Sequence, residues 1–312
     1  MVRTIRKRTG VSALSTAFFA FILIAAVSGA TAAQSAAAAK RVPTVEDLMA
    51  LKSAGGARIS PDGTRVAYTV TETDMEQDAY VTQIWLADVA TGRTLQLTRA
   101  KKSSSNPDWS PDGRWIAFDS QHPDGTFDIF VIEAAGGPPR RLTEDPSNEH
   151  RPSWSRDGRW IHFASDRTGR FEVWRIPAQG GQAEQVTDQG GFTCHLSPDG
   201  RTLYYVKARA AQQPLFARPA EGGPERRVVE EIFGRTFEVD EDGVYYFART
   251  DDPGVTSLRL LEAASGRSRE VAHLEALVAP TFGVTVSRDH KTYLFTAYKP
   301  DDADLFLIEN FR

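Results

Sequence analysis

Ser110-Pro111-Asp112-Gly113 runs directly into Arg114-Trp115-Ile116-Ala117-Phe118, and this unit returns in decaying form along the chain. The other copies begin at Ser60-Pro61-Asp62-Gly63, Ser155-Arg156-Asp157-Gly158, Ser197-Pro198-Asp199-Gly200, Asp240-Glu241-Asp242-Gly243 and Ser287-Arg288-Asp289-His290. Proline presets φ at the first corner of a turn, Asp bonds its own backbone two residues on, and Gly accepts positive φ. The turn aspartates lie at 62, 112, 157, 199, 242 and 289, with spacings of 50, 45, 42, 43 and 47 residues. That period is the length of one four-stranded propeller blade. A single blade cannot bury both faces alone, so the repeats must stack into one closed body.

Within each repeat the turn leads to a second strand such as Trp115 to Phe118 or Leu203 to Val206, and a polar loop leads to a third such as Asp128 to Val131. A Gly hairpin and a fourth strand, as in Leu95 to Thr98 or Arg140 to Thr143, complete the unit. β-branched and aromatic runs between regular hairpin turns predict antiparallel sheet throughout. The expected fold is therefore all-β, a six-bladed β-propeller of four-stranded antiparallel blades. The sixth repeat ends after its third strand, and unpaired edges invite aggregation. Residues 42–52 are accordingly expected to return as the closing strand, although 45–52 also carry apolar residues at helical spacing.

Ahead of the repeats, Arg3, Arg6, Lys7 and Arg8 precede an apolar run from Ala13 to Val27 and then the small residues 28–33. This is the pattern of an export signal over residues 1–33, cleaved near Ala32 or Ala33. Residues 34–47 read as a linker and 48–312 as the propeller. An apolar run of this length is short for a membrane span, so none is expected after cleavage. The net charge of −4 becomes −8 once the four cations of the signal are removed. An acidic body argues against nucleic acid, which rewards clustered Lys and Arg. Cys194 is the sole cysteine, so no internal disulfide can form, and a buried small hydrophobe is the expected role.

The run Trp-Ser-Pro-Asp-Gly, Trp-Ile-Ala-Phe, Asp-Ile-Phe-Val and Arg-Arg-Leu-Thr resembles the WD40-like PD40 repeat of TolB-type propellers, most closely over 105–190. Residues 45–100, through Glu46-Asp47-Leu48 and Ile84-Trp85-Leu86-Ala87-Asp88, are similar to the start of the propeller in S9 (prolyl-oligopeptidase) enzymes. The stretch from Asp304 to Phe311 resembles the tail of propellers that follow kinase domains in some bacterial receptors. S9 enzymes carry catalysis on a separate α/β-hydrolase domain marked by Gly-x-Ser-x-Gly, and that motif does not occur here. What the resemblance implies is a binding module of the cell envelope.

Candidate sites follow from propeller geometry. The innermost strand of each blade borders the channel, and residues two apart share a face. The position two before each turn motif is Arg58, Asp108, Ser153, His195, Glu238 and Thr285, all polar. The alternating Ile59, Trp109, Trp154, Leu196, Val239 and Val286 are all apolar. The polar ring is expected either to bind a ligand or cation or to line a water-filled channel with Arg58 paired to Asp108. Asn106, Glu149, His150 and Arg151 precede the inner strands and are candidates for a partner-binding rim or for solvated loop. The turn aspartates read as Asx turns and the tryptophans as packing between blades. No catalytic residue, metal site or cofactor is expected.

The expected function is thus a periplasmic or secreted, non-enzymatic adaptor or scaffold whose partner is an envelope protein or peptide. Two alternatives stand beside it. One is a propeller enzyme using a channel metal on Asp108, His195 and Glu238. The other is a stand-alone relative of S9 peptidases that lacks the hydrolase domain.

Overall fold

In the computed structural model, residues 49–234, 237–278, 283–299 and 302–309 are described, and β-strands carry nearly all of their regular structure. The first sheet is built from β1 (Ser53–Ile59), β2 (Arg65–Asp74), β3 (Ala79–Asp88) and β4 (Thr94–Gln96). The second holds β5 (Ser104–Trp109), β6 (Trp115–Gln121), β7 (Phe127–Glu133) and β8 (Arg140–Arg141). The third holds β9 (Glu149–Trp154), β10 (Trp160–Ser165), β11 (Glu172–Pro177) and β12 (Glu184–Gln185). The fourth comprises β13 (Thr193–Leu196), β14 (Thr202–Val206), β15 (Gln212–Pro219) and β16 (Arg226–Phe233). The fifth comprises β17 (Glu238–Val239), β18 (Gly243–Arg249), β19 (Thr256–Glu262) and β20 (Ser268–Leu274). All five are antiparallel meanders in chain order.

The last sheet is different. It contains β21 (Leu277–Val278), β22 (Val284–Val286), β23 (Thr292–Lys299) and β24 (Asp302–Glu309). β24 runs along the whole of β23, so β21 and β22 lie end to end on the opposite edge. Four strand segments thus make a sheet three strands wide, and the expectation of six four-stranded blades is corrected to five. The physical reason is in the register: β24 takes one whole edge of β23, and β21 and β22 share the other. The described part of the expected closing strand, 49–52, forms no strand; Met49 is helical and Ala50 lies in a turn. Its remainder, like the export signal and the linker, lies outside the described residues. Contacts between inner strands nevertheless run from β1 to β5, β9, β13, β17 and β22 and back to β1.

The core sits between successive sheets. Ala67, Ile84 and Leu86 of the first pack on Trp109, Ile116 and Phe118 of the second. Tyr245, Phe247 and Leu258 of the fifth meet Tyr293 and Phe295 of the last. Fully burying such side chains contributes about 1.5–3 kcal/mol each relative to exposure, so every sheet is held mainly by its neighbours. Trp109, Trp115 and Trp154 belong to these clusters, the packing role expected of them.

The turns follow one design. Ser110 Oγ donates to Asp112 Oδ1 at 2.6 Å while accepting from Trp115 N at 2.9 Å, and Asp112 Oδ1 accepts from Arg114 N at 3.0 Å. Gly113 takes φ +69°, where a side chain would be strained. The same serine–aspartate bond, at 2.6 Å, recurs at Ser60–Asp62, Ser155–Asp157, Ser197–Asp199 and Ser287–Asp289. In Asp157 these bonds, with Arg159, hold the carboxyl down at about 2. The fifth turn departs, because Asp240 replaces the serine.

Candidate functional site at the channel mouth

The sequence places prolines inside two inner strands, at Pro107 and Pro152. Proline has no N–H to give a ladder, so it is confined within sheets to edges and bulges. Register shifts occur there: between Ser105 and Asp108 on β5, and opposite His162 and Ala164 on β9. β1 shifts likewise between Gly55 and Arg58. At each shift one residue adopts positive φ, namely Gly56 (58°), Asn106 (52°) and Arg151 (54°). The three bulges bend the strand ends and define the mouth on the first three sheets.

Asp119 on β6 organises two of these bulges. Its buried carboxylate accepts from Ser105 Oγ at 2.7 Å, Asn106 Nδ2 at 2.7 Å and Arg151 N at 2.9 Å, with His150 Nδ1 at 3.6 Å. Burial raises its pKa, but His150 and these hydrogen bonds outweigh burial and leave it below the ordinary value. A charge held by partners from two sheets fixes one sheet against the next.

Around His150 lies an aromatic cluster. Its ring is 4.6 Å from Phe127, 5.9 Å from Phe171 and 6.3 Å from Phe192. The guanidinium groups of Arg151 and Arg209 sit 5.7 Å and 5.4 Å from the Phe192 ring centroid, within cation–π range. Phe127, His150, Phe171 and Arg151 are part-exposed and Arg209 is exposed. Sequence reading placed Asn106, His150 and Arg151 at this rim, and missed Phe127, Phe171, Phe192 and Arg209. Glu149 is a correction. It is fully buried, accepting from Ser147 Oγ at 2.6 Å, Ser165 Oγ at 2.8 Å and Arg167 Nη2 at 3.2 Å. As the first residue of β9, opposite Ser165, it faces into the sheet, and it is no rim contact.

Deeper in, the six predicted polar residues lie on β1, β5, β9, β13, β17 and β22. The expected Arg58–Asp108 pair is not formed as such: Arg58 Nη1 reaches Glu238 Oε2 at 2.5 Å. Asp108 Oδ2 instead accepts from Trp154 N at 2.9 Å. Ser153 Oγ lies 3.0 Å from His195 Nδ1, and Thr285 Oγ1 accepts from Ile59 N at 3.4 Å. Arg156 takes the place that proline holds in three other turns, and its Nη2 donates to Val239 O at 2.8 Å. Burial pushes Glu238 up to about 7 against the pull of Arg58, and pushes Asp108 up as well. Burial and then Arg58 hold His195 well below its ordinary value, so its imidazole is neutral. The free space lined by Gly56, Arg58, Asn106, Arg151 and His195 is about 40 Å³. That volume takes a few water molecules.

Asp108, His195 and Glu238 do not converge on one point within metal-ligand reach. Among the described residues the set that does is Asp240, Asp242 and His290. Ser153 and His195 form a hydroxyl–imidazole pair, but His195 Nε2 has no hydrogen-bond partner to orient it as a base. Cys194 is buried and burial raises its thiol, so it is an inert core residue. Among the described residues no helix is long and apolar enough to cross a membrane.

A closed cycle of antiparallel sheets, five of the six carrying a Ser-x-Asp turn and all presenting loops at one mouth, defines a β-propeller. The chain belongs to the PD40 family, the TolB β-propeller domain, whose model matches residues 54–307. It is 36% identical over 93 residues to the uncharacterized peptidase YuxL of Bacillus subtilis, a match covering 30% of this chain and 14% of that protein. The chain spans less than a third of the length of the curated relatives it matches. The solved TolB of Acinetobacter baumannii aligns with a TM-score of 0.57 at 19% identity, over 70% of this chain and 53% of that one. A puromycin-hydrolyzing peptidase of Mycobacterium tuberculosis aligns at 0.55 and 15% identity, over 80% and 44%. The two structural likenesses establish the fold.

Proposed function

We propose that this chain is an exported binding module of the cell envelope that holds a protein or peptide partner at the rim of its first three blades and the start of the fourth. The observation that supports it is the cluster of His150, Phe127, Phe171 and Arg209. Aromatic and arginine side chains on a rigid scaffold are the residue types that dominate binding energy. The space beneath it, lined by Gly56, Arg58, Asn106, Arg151 and His195, is about 40 Å³, and Arg58, Glu238 and Asp108 are already engaged, which favours the rim as the contact. In this reading residues 1–33 are the cleaved export signal and the mature chain acts in the periplasm or outside the cell. No catalytic role is assigned.

The test is affinity capture from envelope extract with three forms of the tagged mature chain. Wild type and the channel variant D108A/H195A should retain the same specific protein. The rim variant F171A/R209A should lose it. Equal retention by the rim variant removes the rim from the account. A second reading is supported by the match to YuxL: a propeller that serves an S9-type hydrolase domain. Retention of a hydrolase as the specific partner would favour that reading.

A further inference from the structure

The fifth Asp-Gly turn is chemically unlike the others. Where its counterparts place a serine that donates to the turn aspartate, this one places Asp240, so two carboxylates face each other with Asp242. Asp240 Oδ1 is used by the turn, accepting from Asp242 N at 2.9 Å and Gly243 N at 3.3 Å. Asp240 Oδ2 is left over, without exposure and without a hydrogen bond. Like charges at this range repel unless a cation joins them.

The sixth turn supplies the third group. Ser287 and Asp289 satisfy that turn by themselves, with the usual 2.6 Å bond. His290 then stands where all five other turns have glycine, at φ 57°. Its ring leans back across the sheet boundary, Nδ1 at 2.6 Å from Asp242 Oδ2 and Nε2 at 3.3 Å from Asp240 Oδ2. One donor atom from each residue falls within a sphere where all lie less than 4.8 Å apart. A tetrahedral zinc ion with bonds of about 2.1 Å holds its ligand atoms roughly 3.4 Å apart, so modest side-chain rotation closes the set.

We propose that Asp240, Asp242 and His290 form a binding site for a divalent transition-metal ion, zinc by its mixed nitrogen–oxygen donors. The ion would join the fifth sheet to the last one, which is three strands wide. Coordination uses one imidazole nitrogen in its neutral form and both carboxylates, with water completing the shell. The site lies at the turn end of the sheets, away from the rim, and stands independently of the partner proposed there. Cys194 is buried and does not compete for the ion.

The experiment is zinc titration of the purified, chelator-washed mature chain by calorimetry, with melting temperature as second readout. His290→Gly is the informative variant. It restores the glycine of the other turns, four of which hold it at φ +69° to +73°, close to the 57° of His290, so the fold is kept while the imidazole is lost. Wild type should bind one zinc per chain and melt at higher temperature with zinc present. H290G should bind at least about 100-fold more weakly and show no shift, the upper end of what site changes cost metal affinity. H273A should match wild type. Zinc binding of equal affinity in H290G, or no stoichiometric binding by wild type, overturns the proposal.

Discussion

The first three sheets and the last three share their inter-sheet packing and, apart from the Asp240 turn of the fifth, the same turn, but their inner strands differ. β1, β5 and β9 each break register at a residue of positive φ. Among the described residues β13, β17 and β22 each pair with their neighbour without an internal shift, although on the last sheet the edge is interrupted between Val278 and Val284. A bulge costs ladder hydrogen bonds and bends the strand, so it must be held by side chains. Asp119 does that holding for two of the three. One half of the molecule therefore displays bulged inner strands anchored at the mouth, and the described inner strands of the other half are shorter. The proposed rim contact lies in the half whose inner strands depart from ideal geometry.

The difference can be broken most forcefully at Asp119. D119A leaves Asn106 Nδ2 and the Arg151 amide without their buried acceptor. The expected loss is about 3–5 kcal/mol, because each stranded buried group costs about 1–3 kcal/mol. Denaturant unfolding measures it, and a loss under about 1 kcal/mol would mean the bulges hold themselves.

Two buried groups, one in each half, should titrate with opposite sign. His162, buried in the third sheet, is held by burial down to about 4. Its unfolded value is near 6.5, so the unfolded chain binds the extra proton first and stability is lost as pH falls from 6.5 through 4. The lost contribution is about 3 kcal/mol, and H162Q should flatten that limb. Glu238, in the fifth sheet, is raised to about 7. There the folded chain holds the proton more tightly, so its contribution is present below pH 4.5 and lost as pH rises to about 7. E238Q, which keeps the uncharged shape, should remove that decline. Melting curves from pH 4 to pH 8 on both variants check the signs.

Smaller effects sharpen the contrast. S197A deletes the serine that both donates to Asp199 and accepts from Thr202 N in a straight-strand sheet. It should cost about 1 kcal/mol, the worth of an ordinary hydrogen bond, and leave partner capture intact. R209A should shift stability by no more than about 0.5 kcal/mol, as exposed substitutions do, and still reduce partner retention.

Much of this architecture is legible in the residues. The Ser-Pro-Asp-Gly spacing specifies four-stranded repeats, and the polar-apolar alternation before each turn locates Arg58, Asp108, Ser153, His195, Glu238 and Thr285 on inner strands. Two further details are carried by single residues. Pro107 and Pro152 announce the bulges, since a proline inside a strand sits where no ladder hydrogen bond is given. The serine-to-Asp240 and glycine-to-His290 departures sit in neighbouring turns and meet across one sheet boundary. The remainder depends on long-range register. Nothing local tells that Arg58 selects Glu238, 180 residues away, over Asp108. The periodicity likewise cannot show that Glu149 turns inward to two serines while its neighbour His150 lies tilted against Phe127.

The rim claim is tested most directly by site-specific photo-crosslinking in envelope extract. One form carries the crosslinking residue at Phe171, on the rim. Another carries it at Glu221, exposed in the hairpin at the turn end of the fourth sheet. A discrete crosslinked partner from position 171 and none from position 221 is the predicted result. The same partner from 221 and none from 171 would contradict the account.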